Sequence, residues 1–297
     1  MIRTVVCGFF HAWRKMYWRN LLKRSPMLYI RRRYKSLFGE EINLDTPARF
    51  AEKIQWLKCN DRDQRIVQYA DKYMVRKFIA DTIGDEYLIP MIGSWDRAGE
   101  LCYEDLPNAF VLKPNNSSVR VLIFRDKSKL RKEDVFKIIE KWERENLTEI
   151  TGEWMYERIP YKLICEEYLE DEIVDYKIYF AGGEFICTQV IAGRSSGEKQ
   201  FGYFDEQWDL LDIKRKGIPQ LSKPLVKPHE YETMLCIARK LAQDFAFIRV
   251  DLYNVNGRIY FGELSFYPNN GFVQYETDEM DDFFASRIKL PLKKSKV

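Results

Sequence analysis

Residues 248–271 read IRVDLYNVNGRIYFGELSFYPNNG, with a turn signal between two runs of strand-forming residues. The runs 246–252 and 258–266 are rich in β-branched and aromatic residues, which favour strands. Between them, the segment 254–257 (Asn-Val-Asn-Gly) is typical of a tight hairpin turn. The stretch therefore predicts a β-hairpin.

The predicted hairpin carries polar side chains on one wall. Alternation along a strand places Arg249 and Asp251 on one face of the first strand, and Phe261, Glu263 and Ser265 on one face of the second. Pairing across the turn is expected to bring Asp251 and Glu263 together. Two carboxylates, a hydroxyl and an arginine suit a Mg²⁺ ion that carries a polyphosphate. The alternative is an ordinary solvated hairpin face.

The composition is that of a folded chain of 297 residues, with 46% hydrophobic and 15% aromatic residues. A chain of this length can bury a large core and can fold as one composite domain or as two to three lobes. Residues 1–36 carry ten Lys or Arg and no acid, which leaves 38 basic and 45 acidic residues, a net −7, for the remainder. A nucleic-acid binder would carry positive charge on its folded body, so that class is disfavoured. Six dispersed cysteines and two histidines disfavour a zinc cluster and favour reduced thiols in a cytosolic protein.

The N-terminal segment is basic and aromatic. Phe9, Phe10, Trp13 and Tyr17 form a stripe at helical spacing among Lys and Arg residues. Such a helix fits the anionic inner face of the cytoplasmic membrane, which would make this a cytoplasmic protein with a peripheral membrane contact. The alternative is a helix packed on the body with its basic residues in solvent. No apolar run approaches the roughly 20 residues that span a bilayer, and arginines interrupt any signal-peptide pattern.

Helices and hairpins alternate along the chain, which predicts the α+β class. Helices are expected from a Pro47 start signal through Leu57, from an Asp71 N-cap to Thr82, and over Leu130–Glu145 and Pro228–Gln243. Strands are expected at Phe110–Pro114, Val121–Arg125, Lys162–Leu169, Asp175–Phe180 and Glu184–Ala192.

Six segments appear in a characteristic order: LDTPARFAEKIQWLK, DKYMVRKFI, FVLKPN, EWMYERIPYKLICEEYLED, DYKIYFAGGEF and IRVDLYNVNGRIYFGELSFYP. Together they resemble the ATP-grasp superfamily, and more closely its TupA-like branch, named for teichuronopeptide biosynthesis. The resemblance covers roughly residues 38–275 and implies an ATP-grasp fold, in which two α+β lobes grip ATP, with a basic helical N-terminal extension. The implied units are 1–36 (basic segment), 37–109 (helical region), 110–169 (small lobe) and 170–297 (large lobe with the Mg-ATP site).

The resemblance implies phosphate-binding roles for several residues. Lys113, at the end of a strand, would reach the α- and β-phosphates, and Lys72 would be a second cation. Ser117 and Ser118 belong to a turn, residues 115–120, that would cover the phosphates. The branch usually carries glycine here, and this turn has none, so left-handed conformations would be costly. Without the resemblance, a strand-end lysine is usually a solvated surface residue.

Further roles are implied for the nucleotide and the metal. The hinge between the lobes would hold adenine, and Asp175 would bind the ribose; the hinge residues are Glu166, Glu167, Tyr168 and Leu169. Asp251 and Glu263 would hold Mg²⁺ with Ser265, which stands where many members have asparagine. Arg249 would stabilise the transferred phosphoryl group, with Lys177 near the nucleotide or acceptor and Arg194 near the phosphate.

The implied reaction is ATP-dependent formation of an amide from a carboxylate and an amine through an acyl phosphate, with ADP and phosphate as products. For this branch, the implied acceptor is a uronic-acid-containing cell-surface polysaccharide or its precursor, and the donor is an amino acid or another amine. One alternative is a kinase or glycosyltransferase in glycan assembly; the acid pairs near Asp61 and Asp278 lack the strand context of a glycosyltransferase metal motif. The other is a degenerate ATP-binding module, favoured by the glycine-free turn.

Overall fold

Two antiparallel sheets form the framework of the chain. The computed structural model describes residues 16–145, 148–169, 173–192, 200–221 and 223–291. In these ranges the strands are β1 (Met91–Trp95), β2 (Phe110–Pro114), β3 (Leu122–Phe124), β4 (Leu163–Glu167), β5 (Val174–Ala181), β6 (Glu184–Ala192), β7 (Gln200–Phe204), β8 (Leu210–Leu211), β9 (Ile248–Val255) and β10 (Arg258–Ser265). The labelled helices are α1 (Pro26–Phe38), α2 (Phe50–Asn60), α3 (Gln64–Ala70), α4 (Val75–Ile83), α5 (Lys132–Arg144), α6 (Thr148–Thr151), α7 (Tyr231–Ala242) and α8 (Asp278–Ala285). The predicted α+β class is confirmed.

The smaller sheet has the strand order β1-β4-β2-β3 and is covered by helix α5. Val135 and Ile139 lie one helical turn apart on α5 and are fully buried against Phe110 and Leu112 of β2. The small lobe was predicted to begin at residue 110, but strand β1, which comes before that residue, pairs with β4 in this sheet. We therefore propose that the small lobe begins at about residue 91.

The larger sheet has the strand order β10-β9-β5-β6-β7-β8. Helix α7 packs on it, and the N-terminal end of α2 is buried in the same core, where the ring of Phe50 contacts those of Phe247, Tyr275 and Phe284. The helical region therefore shares its core with the large sheet. Strand β4 of the small sheet is followed by β5 of the large sheet, so the chain crosses between the sheets after Glu167.

The hairpin of β9 and β10 contains an irregularity that sets the pairing of its polar residues. Val255 pairs with Arg258 around a two-residue turn, Asn256 and Gly257, whose φ angles are 52° and 80°. The register shifts by one residue at Gly262, so that Glu263 lies opposite Asp251. An uninterrupted ladder would place Glu263 opposite Val250, on the other face. The predicted proximity of Asp251 and Glu263 is confirmed, and it depends on the bulge.

Two predicted helix starts were wrong. Helix α2 begins at Phe50 and not near Pro47, because the Glu52 carboxylate accepts hydrogen bonds from the N–H groups of Ala48 and Arg49 and fixes the start there. Asp71 does accept from the N–H groups of Tyr73 and Met74, but it closes a turn that precedes α4.

The N-terminal segment is described from residue 16 onward and is helical over 16–24 before α1. Leu22, Tyr29, Ile30 and Tyr34 are buried in the large core, which ties these helices to the body. Of the predicted aromatic stripe, Phe9, Phe10 and Trp13 lie outside the described residues. Within the described ranges, no helix combines the length and apolarity needed to cross a membrane.

Candidate active site

A cleft of about 340 Å³ lies between the two sheets. This volume is in the range of small-molecule sites. The ends of β2 and β4 form one wall and strand β10 and the turn after it form another, and residues from the segments 69–76 and 151–156 also line the cleft. Its charged lining residues are Lys72, Arg76, Lys113, Glu153, Glu166, Arg249 and Glu263.

Strand β9 supplies a buried ion-pair network behind the cleft. The Arg249 guanidinium donates to both Asp251 oxygens, with Nε–Oδ1 at 2.6 Å and Nη2–Oδ2 at 2.7 Å. Lys177, on the neighbouring strand β5, bridges Asp251 and Asp175, with its Nζ 3.0 Å from the Asp175 carboxylate. Burial alone would lower the pKa of Arg249, but the Asp251 carboxylate raises it, so the guanidinium stays charged.

Glu263 faces the cleft directly and is surrounded by cations. Its carboxylate lies 3.2 Å from Lys72 Nζ and 3.3 Å from Arg249 Nη2, and it accepts from the Ser265 hydroxyl at 3.1 Å. Burial would raise the pKa of Glu263, but Lys72, Arg249 and Lys177 outweigh it and lower that pKa to about 2. Glu263 is therefore ionised at neutral pH and can serve as an oxygen ligand.

A second charged group occupies the wall formed by the small sheet. Lys113 and Glu166 project from the paired strands β2 and β4, and Lys113 Nζ lies 2.5 Å from the Glu166 carboxylate. Arg76, on α4, holds the other Glu166 oxygen at 3.2 Å and donates to the Ile89 carbonyl at 2.9 Å. This group has two cations and one carboxylate, so it presents a positive surface to the cleft.

Asn115 connects the segment that carries Lys72 with the strand that carries Lys113. Its side-chain amide donates to Asp71 at 3.0 Å and accepts from the Lys162 backbone at 2.8 Å, and its carbonyl accepts from the Lys72 N–H at 3.0 Å. Asn115 follows β2, two residues after Lys113. It therefore fixes Lys72 and Lys113 on the same side of the cleft.

The turn at residues 115–120 closes without glycine. None of its residues has a positive φ, so the expected cost of a left-handed conformation does not arise here. Ser117 is buried, and its hydroxyl accepts from the N–H groups of Val119 and Arg120, whereas Ser118 lines the cleft. Arg120 turns away from the cleft and pairs with Glu145 at 2.8 Å.

The remaining predicted residues divide into three groups. Glu167 is exposed, Tyr168 accepts from Arg125 at 3.2 Å, and Leu169 is partly buried; none of the three is a lining residue of the cleft. Asp175 and Lys177 lie behind the cleft in the network described above. Arg194 lies outside the described residues.

The residues present fit a divalent cation at Glu263. Carboxylate and hydroxyl oxygens are the ligands that Mg²⁺ prefers, and Glu263 and Ser265 both line the cleft. Asp251 is buried and already accepts from Arg249 and Lys177, so Lys177 has to move before Asp251 can bind a metal. In the described part of the chain, no cluster of three His, Cys, Asp or Glu side chains is placed to hold a metal. A Mg²⁺ ion here needs further oxygen ligands from a polyphosphate.

Two charged residues of the cleft were missed from the sequence. Arg76 follows Lys72 by four residues, a spacing that puts both on one face of the helix predicted from Asp71, and this is a signal that could have identified Arg76. Glu153 is 5% exposed and lines the cleft, but no periodic pattern marks the segment that contains it.

Several solved structures are similar to the chain in fold. Helicobacter pylori D-alanine–D-alanine ligase is 16% identical, with a TM-score of 0.44 over 81% of this chain and 67% of that one. Staphylococcus aureus N5-carboxyaminoimidazole synthetase complexed with ADP is 13% identical, with a TM-score of 0.43 over 80% and 59%. Bacillus anthracis D-alanine–D-alanine ligase complexed with ATP is 16% identical, with a TM-score of 0.40 over 72% and 57%. The chain thus spans about two thirds of the first enzyme and less than two thirds of the other two.

No curated protein matches the chain in sequence. The family model described as TupA-like ATPgrasp matches residues 52–289, which include both sheets and every described charged residue of the cleft. This chain belongs to the TupA-like ATP-grasp family.

Proposed function

We propose that this protein is an ATP- and Mg²⁺-dependent carboxylate–amine ligase that works through an acyl phosphate. The proposal is carried by the cations that line one cleft, Lys72, Arg76, Lys113 and Arg249, together with the ionised Glu263. A polyphosphate needs such a set of cations, because its charge must be neutralised before it can leave water. Membership of the ATP-grasp family supports ATP as that polyphosphate.

The binding roles follow from position. Lys113 and Lys72 would contact the phosphates from the side of the small sheet, with Ser118 next to them in the turn. Adenine would lie against the connection between the sheets, with Glu166 and its neighbours at the edge of the base and Asp175 toward the ribose. Glu263 and Ser265 would hold Mg²⁺, joined by Asp251 once Lys177 turns to the phosphates. When bound, Mg²⁺ neutralises phosphate charge and orients the phosphoryl group.

The reaction itself requires positioning and charge stabilisation. An acceptor carboxylate oxygen attacks the γ-phosphorus of ATP and ADP leaves; an amine then attacks the acyl carbon and phosphate leaves. Arg249 would stabilise charge on the phosphoryl oxygens from its place between Asp251 and Glu263. No covalent enzyme intermediate is needed. We further propose a uronic-acid-containing surface polysaccharide or its precursor as the carboxylate, supported by the process after which the branch is named.

The test is isothermal titration with a non-hydrolysable ATP analogue, with and without Mg²⁺. We expect Mg²⁺-dependent binding that Lys113→Ala weakens by about tenfold or more, because a charge-assisted contact is lost. Lys129→Ala removes an exposed lysine of the same lobe and is the control. Equal affinity in the two variants would contradict the role of Lys113. A screen of uronic acids with amines then follows ADP: free phosphate identifies a ligase, and a phosphorylated acceptor identifies a kinase.

We also propose that the N-terminal helices contact an anionic membrane. In the described part of this segment five basic residues are exposed, of which one, Lys35, pairs with Glu41, and Met27 and Leu28 among them are 41% and 39% exposed. Reversing the other four charges to glutamate is expected to weaken binding to vesicles containing about 30% phosphatidylglycerol by more than tenfold, at roughly 1 kcal/mol per charge. The reversed residues are Lys23, Arg24, Arg31 and Arg32.

The control reverses four exposed basic residues of the small lobe, Lys129, Arg131, Lys137 and Lys141. Co-sedimentation measures both variants at the same ionic strength, because such binding is screened by salt. Equal loss of binding in the two variants would mean that net charge alone, and not this surface, attracts the protein.

A further inference from the structure

One part of the cleft lining is not used by the nucleotide roles. Its walls are Thr151, Glu153 and Tyr156 on one side and the turn with Asn269 and Asn270 on the other. We call it the distal compartment. It opens into the same cleft as Glu263, so a molecule bound there lies next to the proposed position of the phosphoryl group.

Glu153 is held in place in the wall of the distal compartment. The segment around it is fixed at both ends: the Glu153 N–H donates to the Thr151 hydroxyl at 3.2 Å, and the Trp154 indole donates to the Tyr267 hydroxyl at 3.1 Å. Tyr267 follows strand β10, which carries Glu263. The distance between the two carboxylates is thus set by rigid elements.

The turn with Asn269 and Asn270 is held by Lys58, a buried cation that already has hydrogen-bond partners within the protein. Lys58 is buried, and its ammonium donates to the Asn270 side chain at 2.7 Å and to the Asn270 carbonyl at 3.1 Å, where Gln55 also donates at 2.8 Å. These bonds hold Asn269 and Asn270 in left-handed conformations with φ of 51° and 56°. The structure thus uses Lys58 to shape the turn.

Glu153 is a buried acid without an ion-pair partner. Among the described residues, no Lys or Arg nitrogen lies within 4.0 Å of its carboxylate. Burial raises the pKa of Glu153 to about 7, and Lys58, a hydrogen bond with the Thr151 side chain and Lys72 oppose this only in part. Burying an ionised acid costs stability unless something compensates its charge, and a cationic ligand at this wall would supply that compensation.

We propose that the distal compartment binds the amine substrate as an ammonium ion, with Glu153 as the carboxylate that receives it and that takes its proton before the neutral amine attacks the acyl carbon. The inference rests on the proposed ligase function. A carboxylate substrate would be repelled by Glu153 and attracted to Arg249 and Lys72. We therefore expect the carboxylate substrate near Arg249 and Lys72, and the amine substrate near Glu153. The amides of Asn269 and Asn270 are then placed to contact the remainder of the amine.

The test uses the full-length protein loaded with a non-hydrolysable ATP analogue and Mg²⁺. The probes are the twenty protein amino acids and ethanolamine, each titrated calorimetrically. We expect at least one probe to bind, and Glu153→Gln to weaken that binding by about tenfold or more while nucleotide affinity is unchanged. Glu153→Asp retains the charge and is expected to retain more of the binding.

Glu157→Gln, which removes an exposed acid four residues away, is the matched control and should bind like the wild type. The N-acetylated form of the binding probe lacks the positive charge and should not bind. Equal binding of the probe to Glu153→Gln, or equal binding of the acetylated form, would overturn the inference. If the nucleotide binds and no probe does, the inference fails while the ligase proposal stands; if the nucleotide does not bind, both fail.

Discussion

Glu263→Gln is expected to abolish ATP turnover while the protein keeps its fold. Glutamine has nearly the same shape but is a poorer ligand for Mg²⁺ and carries no charge to hold Lys72 in place. Asp251→Asn is expected to have the same effect, because it removes the carboxylate that holds both Arg249 and Lys177. Turnover is measured as ADP release with the substrates found in the screen, and folding by circular dichroism.

The control for these variants is Glu276→Gln, which neutralises an exposed glutamate of the same lobe. Normal turnover in both Glu263→Gln and Asp251→Asn would refute the metal assignment.

The low pKa of Glu263 predicts how the stability of the protein depends on pH. Its folded value of about 2 is below its ordinary 4.5, so its contribution is present above pH 4.5 and is lost as the pH falls toward 2. Glu263→Gln should remove this part of the acid sensitivity.

Arg249→Met is expected to produce the largest loss of stability. Arg249 is buried and donates to Asp251, Glu263 and Ser265, so its removal leaves Asp251 without its main cation and Glu263 without one of its two nearest cations. Breaking a buried ion pair by removing one partner costs about 3–5 kcal/mol. We expect a loss of this size in the free energy of unfolding measured with urea, together with the loss of ATP turnover.

Arg258→Met makes the same change at an exposed position on the neighbouring strand and is expected to alter stability by less than about 0.5 kcal/mol. Arg249→Lys retains the charge but not the paired geometry, and should fall between the two. A stability of Arg249→Met equal to that of Arg258→Met would mean that the network contributes nothing net to folding.

The sequence allowed the class, the family and most of the charged residues of the cleft to be predicted, because strand alternation and turn signals are local. The sequence predicted that Asp251 and Glu263 lie close together, but it did not predict the register shift that brings them together. Regular alternation from the Asn256-Gly257 turn places Glu263 opposite Val250, and the shift at Gly262 corrects this. A glycine inside a strand is a known sign of a bulge, so the signal was present. A Cβ at position 262 would lie 3.0 Å from the Asp251 carbonyl, a tight contact that favours glycine there.

Other features could not be predicted because they depend on contacts between distant segments. Glu153 reaches the cleft only because Trp154 is held by Tyr267, 113 residues later in the chain. The conformation of the glycine-free turn depends likewise on Arg120, which is anchored to Glu145 and to the carbonyl of Trp142. Neither contact leaves a periodic signal in the sequence.

The hydrogen bonds of Asn115 have a mechanical consequence. They attach Lys72 to the small sheet, although Lys72 precedes every strand of that sheet in the chain. Lys72 lies between Ala70 and Val75, which are buried in the core of the large sheet, so Lys72 is tied to both sheets. A rotation of the small sheet would carry Lys113 with it while Arg249 and Glu263 stay with the large sheet, and the hydrogen bonds of Asn115 would resist that rotation. A polyphosphate that is bound by Lys113 of the small sheet and by Arg249 of the large sheet would form a further connection between the two sheets, and its charge would resist their separation.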